Sequence, residues 1–401
     1  MRRSLVRFCK LAFLISLIAT SCAAPKQLAF HDDLFFRQID TVLLQSAAQY
    51  KMLAASLPAD AFPRNWDPRT AILQTSSAGW WCSGFYPGTL LQLFGSTKDS
   101  ALYREAMRML PLLAPEQYNR GTHDLGFMLY NSFGTALRFE DRPEWKALLL
   151  QGAQSLASRY NERVGAIRSW DGKPGEYLVI IDNMMNLELL LWASKVSGDR
   201  SLADKAIRHA ETTMQHHFRS NGSSWHVLNY DTLTGNVLQK RTAQGFSDSS
   251  AWARGQAWAL YGYTALYRHT RNVRYLQQAR KVAWFLLNHP RMPADGIPYW
   301  DFDAPGENVL RDASAAAIIA SALVEMQGYS EGAERSAYRV VARKILQRLM
   351  TPDYLASAGT NGGFLLRHSV GHLPAGSEVD VALTYADYYF VEALLRYRML
   401  R

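Results

Sequence analysis

A chain of 401 residues, 48% hydrophobic and 20% charged, is long enough to bury a large core and too apolar for a disordered polymer. Its formal charge of +9 falls to +5 without Arg2, Arg3, Arg7 and Lys10. That residual excess mildly favours anionic ligands, and nucleic acid is not an expected partner. The three cysteines, Cys9, Cys22 and Cys82, leave one thiol in the body of the chain, so no intramolecular disulfide framework forms there. No P-loop, G-x-G-x-x-G at a strand-to-helix junction, H-E-x-x-H or paired C-x-x-C is present, so no metal or cofactor site is expected.

The N-terminus "MRRSLVRFCKLAFLISLIATSC" reads as a secretion leader over residues 1–21: a basic start, a short apolar run and small residues before Cys22. "ATSC" resembles a bacterial lipobox, with Cys22 as the lipidated N-terminus of an exported, membrane-tethered protein. An ordinary signal peptide cut near Ala23–Ala24 is the alternative. No other segment looks membrane-spanning. His216 and His217 are adjacent and diverge on a helix, which makes them a poor metal site.

From there helical periodicity dominates, and strand-like alternation is confined to pieces such as "SSWHVLNYD" and "GGFLLRHSV". Twelve helices are predicted: Leu34–Leu57, Trp81–Phe94, Ser100–Leu113, Asp124–Phe139, Pro143–Tyr160, Asn183–Val196, Ser201–His217, Ser250–Thr270, Val273–Leu287, Ala313–Gln327, Ala333–Met350 and Glu378–Leu400. Even-numbered members, such as "NMMNLELLLWAS" and "ASAAAIIASALVEM", are apolar nearly all round. Odd-numbered ones, such as "SLADKAIRHAETTMQHH", carry a charged face. The first kind belongs inside and the second outside.

Each inner helix follows a polar and aromatic lead-in. With Trp81, Asp124, Asp182, Ser250, Asp312 and Glu378 as markers, the spacings are 43, 58, 68, 62 and 66 residues, a degenerate helical-hairpin repeat. Six hairpins without polar end caps favour closure into a ring over an open stack. The prediction is an all-α fold, an (α/α)6 barrel of six helical hairpins forming a single domain over 30–401, with all six lead-ins at one end. Those lead-ins concentrate Trp, His, Asp, Asn, Gln and Arg, a surface suited to sugar rings and their hydroxyls.

Each feature also has a plainer role. Asp124, Asp182, Ser250, Asp312 and Glu378 fall near helix starts, where such residues cap backbone N–H groups. Trp252 and Trp258 could be core, His226 a structural histidine, and Cys82 a small core residue. Arg254 is harder to dismiss, because an unpaired guanidinium on the apolar segment "AWARGQAWAL" would cost much free energy.

"GTHDLGF", "DNMMNLELL", "GFSDSSAWARGQAWALYGY" and "GSEVDVALTYADYYFVEALLR", in this order, resemble the motifs of unsaturated glucuronyl hydrolases, glycoside hydrolase family 88. The likeness runs from "GWWCSGFYPG" to the C-terminus and implies an (α/α)6 barrel. It implies hydrolysis of the 4,5-unsaturated uronic acid from the non-reducing end of anionic, lyase-generated oligosaccharides, by hydration of the C4=C5 vinyl ether and without a cofactor. By position it implies Asp182 as general acid and base and Asp124 as a second essential acid. It further implies Trp81, His123, His226, Gln244, Arg254, Trp258, Ser369 and Glu378 as substrate-binding residues. Members that prefer sulfated fragments carry Ser and Lys before "GSEVD", whereas here "RHSVGHLPAGSEVD" has no Lys; Arg367 and His372 are the candidate replacements. A hydrolase of pectin-derived fragments, a polysaccharide lyase and a non-catalytic oligosaccharide-binding lipoprotein are the competing readings. Apolar neighbours of Asp182 (Ile180, Ile181, Met184) would raise its pKa, and a helix N-terminus would lower it.

Overall fold

The structure, a computed structural model, describes residues 24–401, with side chains from Asp32 onward; the predicted leader and Cys22 lie outside the described residues. Twelve long helices are described. The outer six are α1 (Ala24–Ser56), α3 (Ser100–Leu113), α5 (Pro143–Ala157), α7 (Arg200–His216), α9 (Val273–Asn288) and α11 (Gly332–Leu349). The inner six are α2 (Phe85–Thr97), α4 (Gly126–Gly134), α6 (Asn183–Ser197), α8 (Ala253–Thr270), α10 (Ala313–Met326) and α12 (Thr384–Arg398). Each inner helix packs on the next, and α12 packs on both α10 and α2, so the ring closes. The (α/α)6 barrel of six hairpins is therefore present as expected.

Three hairpins share one tight turn. A left-handed residue ends the inner helix (Lys98, Gly198, Arg271), and the next residue (Asp99, Asp199, Asn272) accepts a hydrogen bond from the first turn of the outer helix. Among the inner helices only α10 has a side-chain cap, from Asp312 to the Ser314 N–H at 3.0 Å. The remaining inner N-termini keep that end free of side-chain caps.

Close packing of the inner ring uses glycine. A Cβ on Gly126 would lie 2.6 Å from the Asn186 Cα, and one on Gly262 would lie 2.5 Å from the Met184 Cβ. Down the axis, Trp258 packs against Phe127 at 5.1 Å and Tyr389 at 5.4 Å between ring centroids, a buried aromatic column. Helix α4, expected as an ordinary helix over Asp124–Phe139, is π-wound. The Phe127 N–H donates to Asn186 Oδ1 at 2.8 Å, so a neighbouring helix supplies the partner of this widened turn.

Nine short strands decorate the lead-ins. They are β1 (Phe62–Asp67), β2 (Ile72–Ser76), β3 (Tyr160–Asn161), β4 (Ala166–Ile167), β5 (Leu178–Ile180), β6 (Val227–Tyr230), β7 (Val237–Arg241), β8 (Ser369–His372) and β9 (Ser377–Leu383). They form antiparallel sheets in the orders β2-β1-β9-β8, β3-β4 and β5-β6-β7. Two helix starts move as a result. Trp81 precedes α2 by four residues, in a turn. Glu378, expected to open the last helix, lies in β9 with a positive φ of 56°. The alternation of "EVDVAL" serves pairing with β1 and β8 before the chain turns helical at Thr384.

Candidate active site

At the lead-in end lies a cavity of about 160 Å³ lined by Trp81, His123, Asp124, Phe127, Trp170, Ile180, Asp182, Gln244 and Arg254. Four lead-ins supply wall residues directly, and the last two hold Arg254 from behind. Asp182 ends the stretch after β5 and occupies the N-cap position of α6, yet its side chain makes no cap hydrogen bond. Its Oδ2 is buried without a partner. Burial pushes its pKa up to about 7; the Arg254 charge opposes this, the Asp124 charge adds to it, and a hydrogen bond from Trp258 opposes it. Of the roles open to Asp182, capping and ion pairing give way to a carboxyl that holds its proton near neutrality.

Arg254, on the first turn of α8, is 1% exposed and fully engaged. It pairs with Asp312 Oδ2 at 3.2 Å, donates to the Val370 carbonyl and to the Gly371 carbonyl at 2.5 Å, and lies 4.4 Å over the Trp252 ring. The cost expected for a lone guanidinium is thus relieved by the fifth and sixth lead-ins. Arg254 still faces the cavity and raises the local potential there.

The two histidines flank Asp124 and Asp182. His123 Nε2 is 3.2 Å from Asp124 Oδ1, and Thr122 Oγ1 donates to Asp124 Oδ2 at 3.0 Å. His226, on the approach to β6, places Nε2 3.8 Å from Asp182 Oδ2 and packs 4.6 Å from the Trp252 ring. Burial keeps both imidazoles below their usual pKa and therefore neutral at pH 7. Gln244 donates from Nε2 to the Gly371 carbonyl at 3.1 Å, which ties the fourth lead-in to the sixth.

Four expected binding residues do not line the wall, His226 among them. Trp258 is fully buried beneath Asp182, because α8 turns it into the aromatic column; it supports the acid from below. Ser369 is sealed inside β8, its Oγ without a partner. Glu378 lies in β9 with its side chain 8% exposed, and its Oε1 accepts from Arg64 Nε at 2.6 Å and from Asn65 Nδ2 at 3.3 Å. Strand β1, which carries Arg64, pairs with β9 across more than 300 residues of sequence, so its reach to Glu378 is invisible in the chain order. Arg367 donates to Thr360 Oγ1 and lines a separate cleft with Trp66 and Asp380. His372 lies closer, near enough to Arg254 and Glu378 to feel both charges.

Sequence reading missed Trp170 and Phe127, and named Ile180 only as an apolar neighbour of Asp182. Trp170 had a usable signal, a lone aromatic in the polar loop "RSWDGKPGEY" just ahead of the acid; the other two look like ordinary core. Ser169, and the supporting role of Asn183, were also hidden. Ser169 Oγ donates to Asn183 Oδ1 at 2.8 Å and accepts from the Ile180 N–H at 2.9 Å, fixing the segment that ends in Asp182.

The sequence profile of Glycosyl Hydrolase Family 88 matches residues 59–397. The chain belongs to this family. It is 43% identical to an unsaturated glucuronyl hydrolase of Formosa agariphila over 86% of this chain and 87% of that one. It is 32% identical to an unsaturated chondroitin disaccharide hydrolase of Streptococcus pyogenes over 84% of each. A crystal structure of an unsaturated glucuronyl hydrolase specific for heparin superposes with a TM-score of 0.88 at 44% identity, covering 91% of this chain and 98% of that one. The protein is thus a glycoside hydrolase, and in the family 88 fold its cavity stands where the six lead-ins converge.

Proposed function

We propose that this enzyme removes the 4,5-unsaturated uronic acid from the non-reducing end of lyase-generated glycosaminoglycan oligosaccharides, with Asp182 as general acid and then general base. Asp182 gives its proton to C4 of the vinyl ether. A water adds at C5 as the carboxylate takes a proton back, and the resulting hemiketal opens to release the next sugar. No covalent enzyme intermediate and no cofactor enter this scheme.

The observation that carries the reading is Asp182 itself: a buried carboxyl, protonated up to about pH 7, with an unpartnered oxygen beside the cavity. Arg254 supplies a fixed positive field for the substrate carboxylate. Trp81 and Trp170 offer aromatic surface for the sugar ring, and Asp124, His123 and Gln244 offer polar atoms for its hydroxyls. Relatives named for heparin and for chondroitin disaccharides set the order of substrates to try.

The test is the ultraviolet absorbance of the conjugated C4=C5 bond in unsaturated heparin, chondroitin and hyaluronan disaccharides. Loss of absorbance with the native enzyme, and none with Asp182→Asn, is expected; persistent absorbance with every disaccharide refutes the reading. For localisation we propose export and tethering through a lipid on Cys22. The intact protein should partition with membranes, and Cys22→Ala should release it.

A further inference from the structure

The backbone around the cavity fixes which nitrogen of each histidine carries the proton, and it does so in opposite senses. At His123, Nδ1 lies 3.0 Å from the Ser169 carbonyl oxygen. A carbonyl only accepts, so Nδ1 must bear the hydrogen. The Ser169 carbonyl is itself held, since Arg159 Nη2 donates to it at 3.2 Å and the Ser169 hydroxyl is tied to Asn183. In the neutral ring this leaves Nε2 as a lone pair, with Asp124 Oδ1 3.2 Å away, so a sugar hydroxyl that donates to it also comes within reach of that carboxyl.

At His226 the reverse holds. The backbone N–H groups of Ala243 and Gln244 both donate to Nδ1, at 3.1 and 3.2 Å, with the Thr242 hydroxyl at 3.4 Å. Two amide donors converging on one nitrogen require a lone pair there, so the hydrogen sits on Nε2. That N–H points toward Asp182 Oδ2 at 3.8 Å, which is too long for a direct hydrogen bond. Both Nε2 atoms are buried without a hydrogen-bond partner, as is Asp182 Oδ2; the Asp124 Oδ1 beside His123 Nε2 at 3.2 Å lies outside hydrogen-bond geometry.

We propose that the scaffold locks the two histidines of this active site in opposite neutral tautomers, so that His123 presents a hydrogen-bond acceptor and His226 a donor to the bound unsaturated sugar. The inference rests on the proposed hydrolysis for the identity of that sugar, though the tautomers themselves do not depend on it. Its consequence is directional recognition. A hydroxyl opposite His123 must donate its proton, and an oxygen between His226 and Asp182 must offer a lone pair to the imidazole. The Thr242 hydroxyl, the backbone N–H groups of Ala243 and Gln244 and the Ser169 carbonyl act as positioning groups, because they act on the sugar through the rings.

The experiment pairs spectroscopy with substrate chemistry. Two-bond proton–nitrogen correlation spectra of the full chain labelled with ¹⁵N-histidine distinguish the neutral tautomers from each other and from imidazolium; His123→Gln and His226→Gln assign the peaks. At pH 7 the expected result is one Nδ1–H ring at position 123 and one Nε2–H ring at position 226. The same tautomer at both, or imidazolium at either, overturns the proposal. In parallel, kcat/KM is measured on unsaturated disaccharides whose ring hydroxyls are replaced singly by fluorine, which cannot donate. At one hydroxyl the replacement should cost about 10- to 100-fold in the native enzyme, the penalty for an unpaired buried acceptor. That penalty should vanish in His123→Ala and persist in His226→Ala; a penalty of equal size in both variants overturns the acceptor role. Turnover of the unmodified disaccharide tests the hydrolase reading separately, and its failure leaves the spectroscopic result to stand or fall alone.

Discussion

The two ends of the barrel axis both bury carboxylates near arginines, and they treat them in opposite ways. At the open end, Asp182 has Arg254 for a neighbour, but that guanidinium is already spoken for by Asp312, Val370 and Gly371. Burial therefore wins, and the acid stays protonated to about pH 7. At the far end, Glu188 of α6 accepts from Arg268 Nη1 at 2.9 Å and from His269 Nε2 at 3.0 Å. Burial alone would raise its pKa, but these partners hold it down to about 2. Arg268 also reaches Glu325, which pairs with Arg396, which pairs with Glu392. Three carboxylates, two arginines and a histidine from α6, α8, α10 and α12 thus cross-tie the floor. A partner within reach does not ionise an acid if its donors are committed elsewhere, and that distinction separates the reactive end from the structural one.

The largest effect should come from removing the reactive acid. Asp182→Asn is expected to lower kcat/KM by about 10²–10⁴-fold with the fold intact, measured by loss of the C4=C5 absorbance alongside circular dichroism. Its sign on stability is the sharper test. A folded pKa above the unfolded value means stability is full below pH 3.8 and declines as pH rises to about 7. Relieved of that burden, Asp182→Asn should be more stable than the native protein at pH 8, on the order of 2–4 kcal/mol, and gain little at pH 4. Equal stability at both pH values would mean that the carboxyl is not desolvated.

Breaking the floor should do the reverse. Arg268→Met takes from Glu188 its arginine, leaving His269, and from Glu325 one of its two arginines, leaving Arg396; it should destabilise by about 3 kcal/mol in denaturant titrations, while kcat of the folded fraction changes little. A large fall in kcat would instead tie the floor to the chemistry.

The pH profile comes next. Because the protonated form of Asp182 donates, kcat/KM should fall about tenfold per unit above pH 7, and the limb should track this residue. Glu188 has a depressed pKa, so its contribution is present above pH 4.5 and lost as pH falls toward 2. Glu188→Gln should flatten that acid slope of stability, by on the order of 2 kcal/mol, without moving the activity profile.

The smallest effect sharpens the comparison from a third position. Asp387 is also pushed up to about 7 by burial, yet it accepts from the Leu365 and Leu366 N–H groups, both at 2.9 Å, and from the Tyr50 hydroxyl at 3.2 Å. A raised pKa alone does not mark chemistry, since every oxygen here has a structural partner. Asp387→Asn turns an amide donor toward backbone donors and should cost about 1–3 kcal/mol in stability, with kcat/KM on the unsaturated disaccharide preserved.

Much of this was legible in the chain itself. Helical periodicity, the alternation of apolar and charged helices and the recurrence of lead-ins specify six hairpins, because each helix carries the imprint of which side meets water. The lead-in composition likewise marked Trp81, His123, Asp124, Asp182, Gln244 and Arg254, all now on one cavity wall. Positions whose direction depends on neighbours were not legible. Trp258 reads the same whether it faces a sugar or a core. Glu378 reads as a helix cap until β9 claims it, and Ser369 reads as a substrate-binding hydroxyl until β8 buries it.

What the sequence determined was the set of local choices: where helices run, which turn residues end them, and which acids and aromatics gather at one end. Only the tertiary structure decided which charges are spent and which are free. Arg254 meets Asp312 and the β8 carbonyls across roughly 60 and 120 residues of chain, and the Ser169 carbonyl orients an imidazole 46 residues away. The physical reason is that a pKa or a tautomer is a property of the atoms surrounding a group, and in this barrel many of those atoms come from other hairpins.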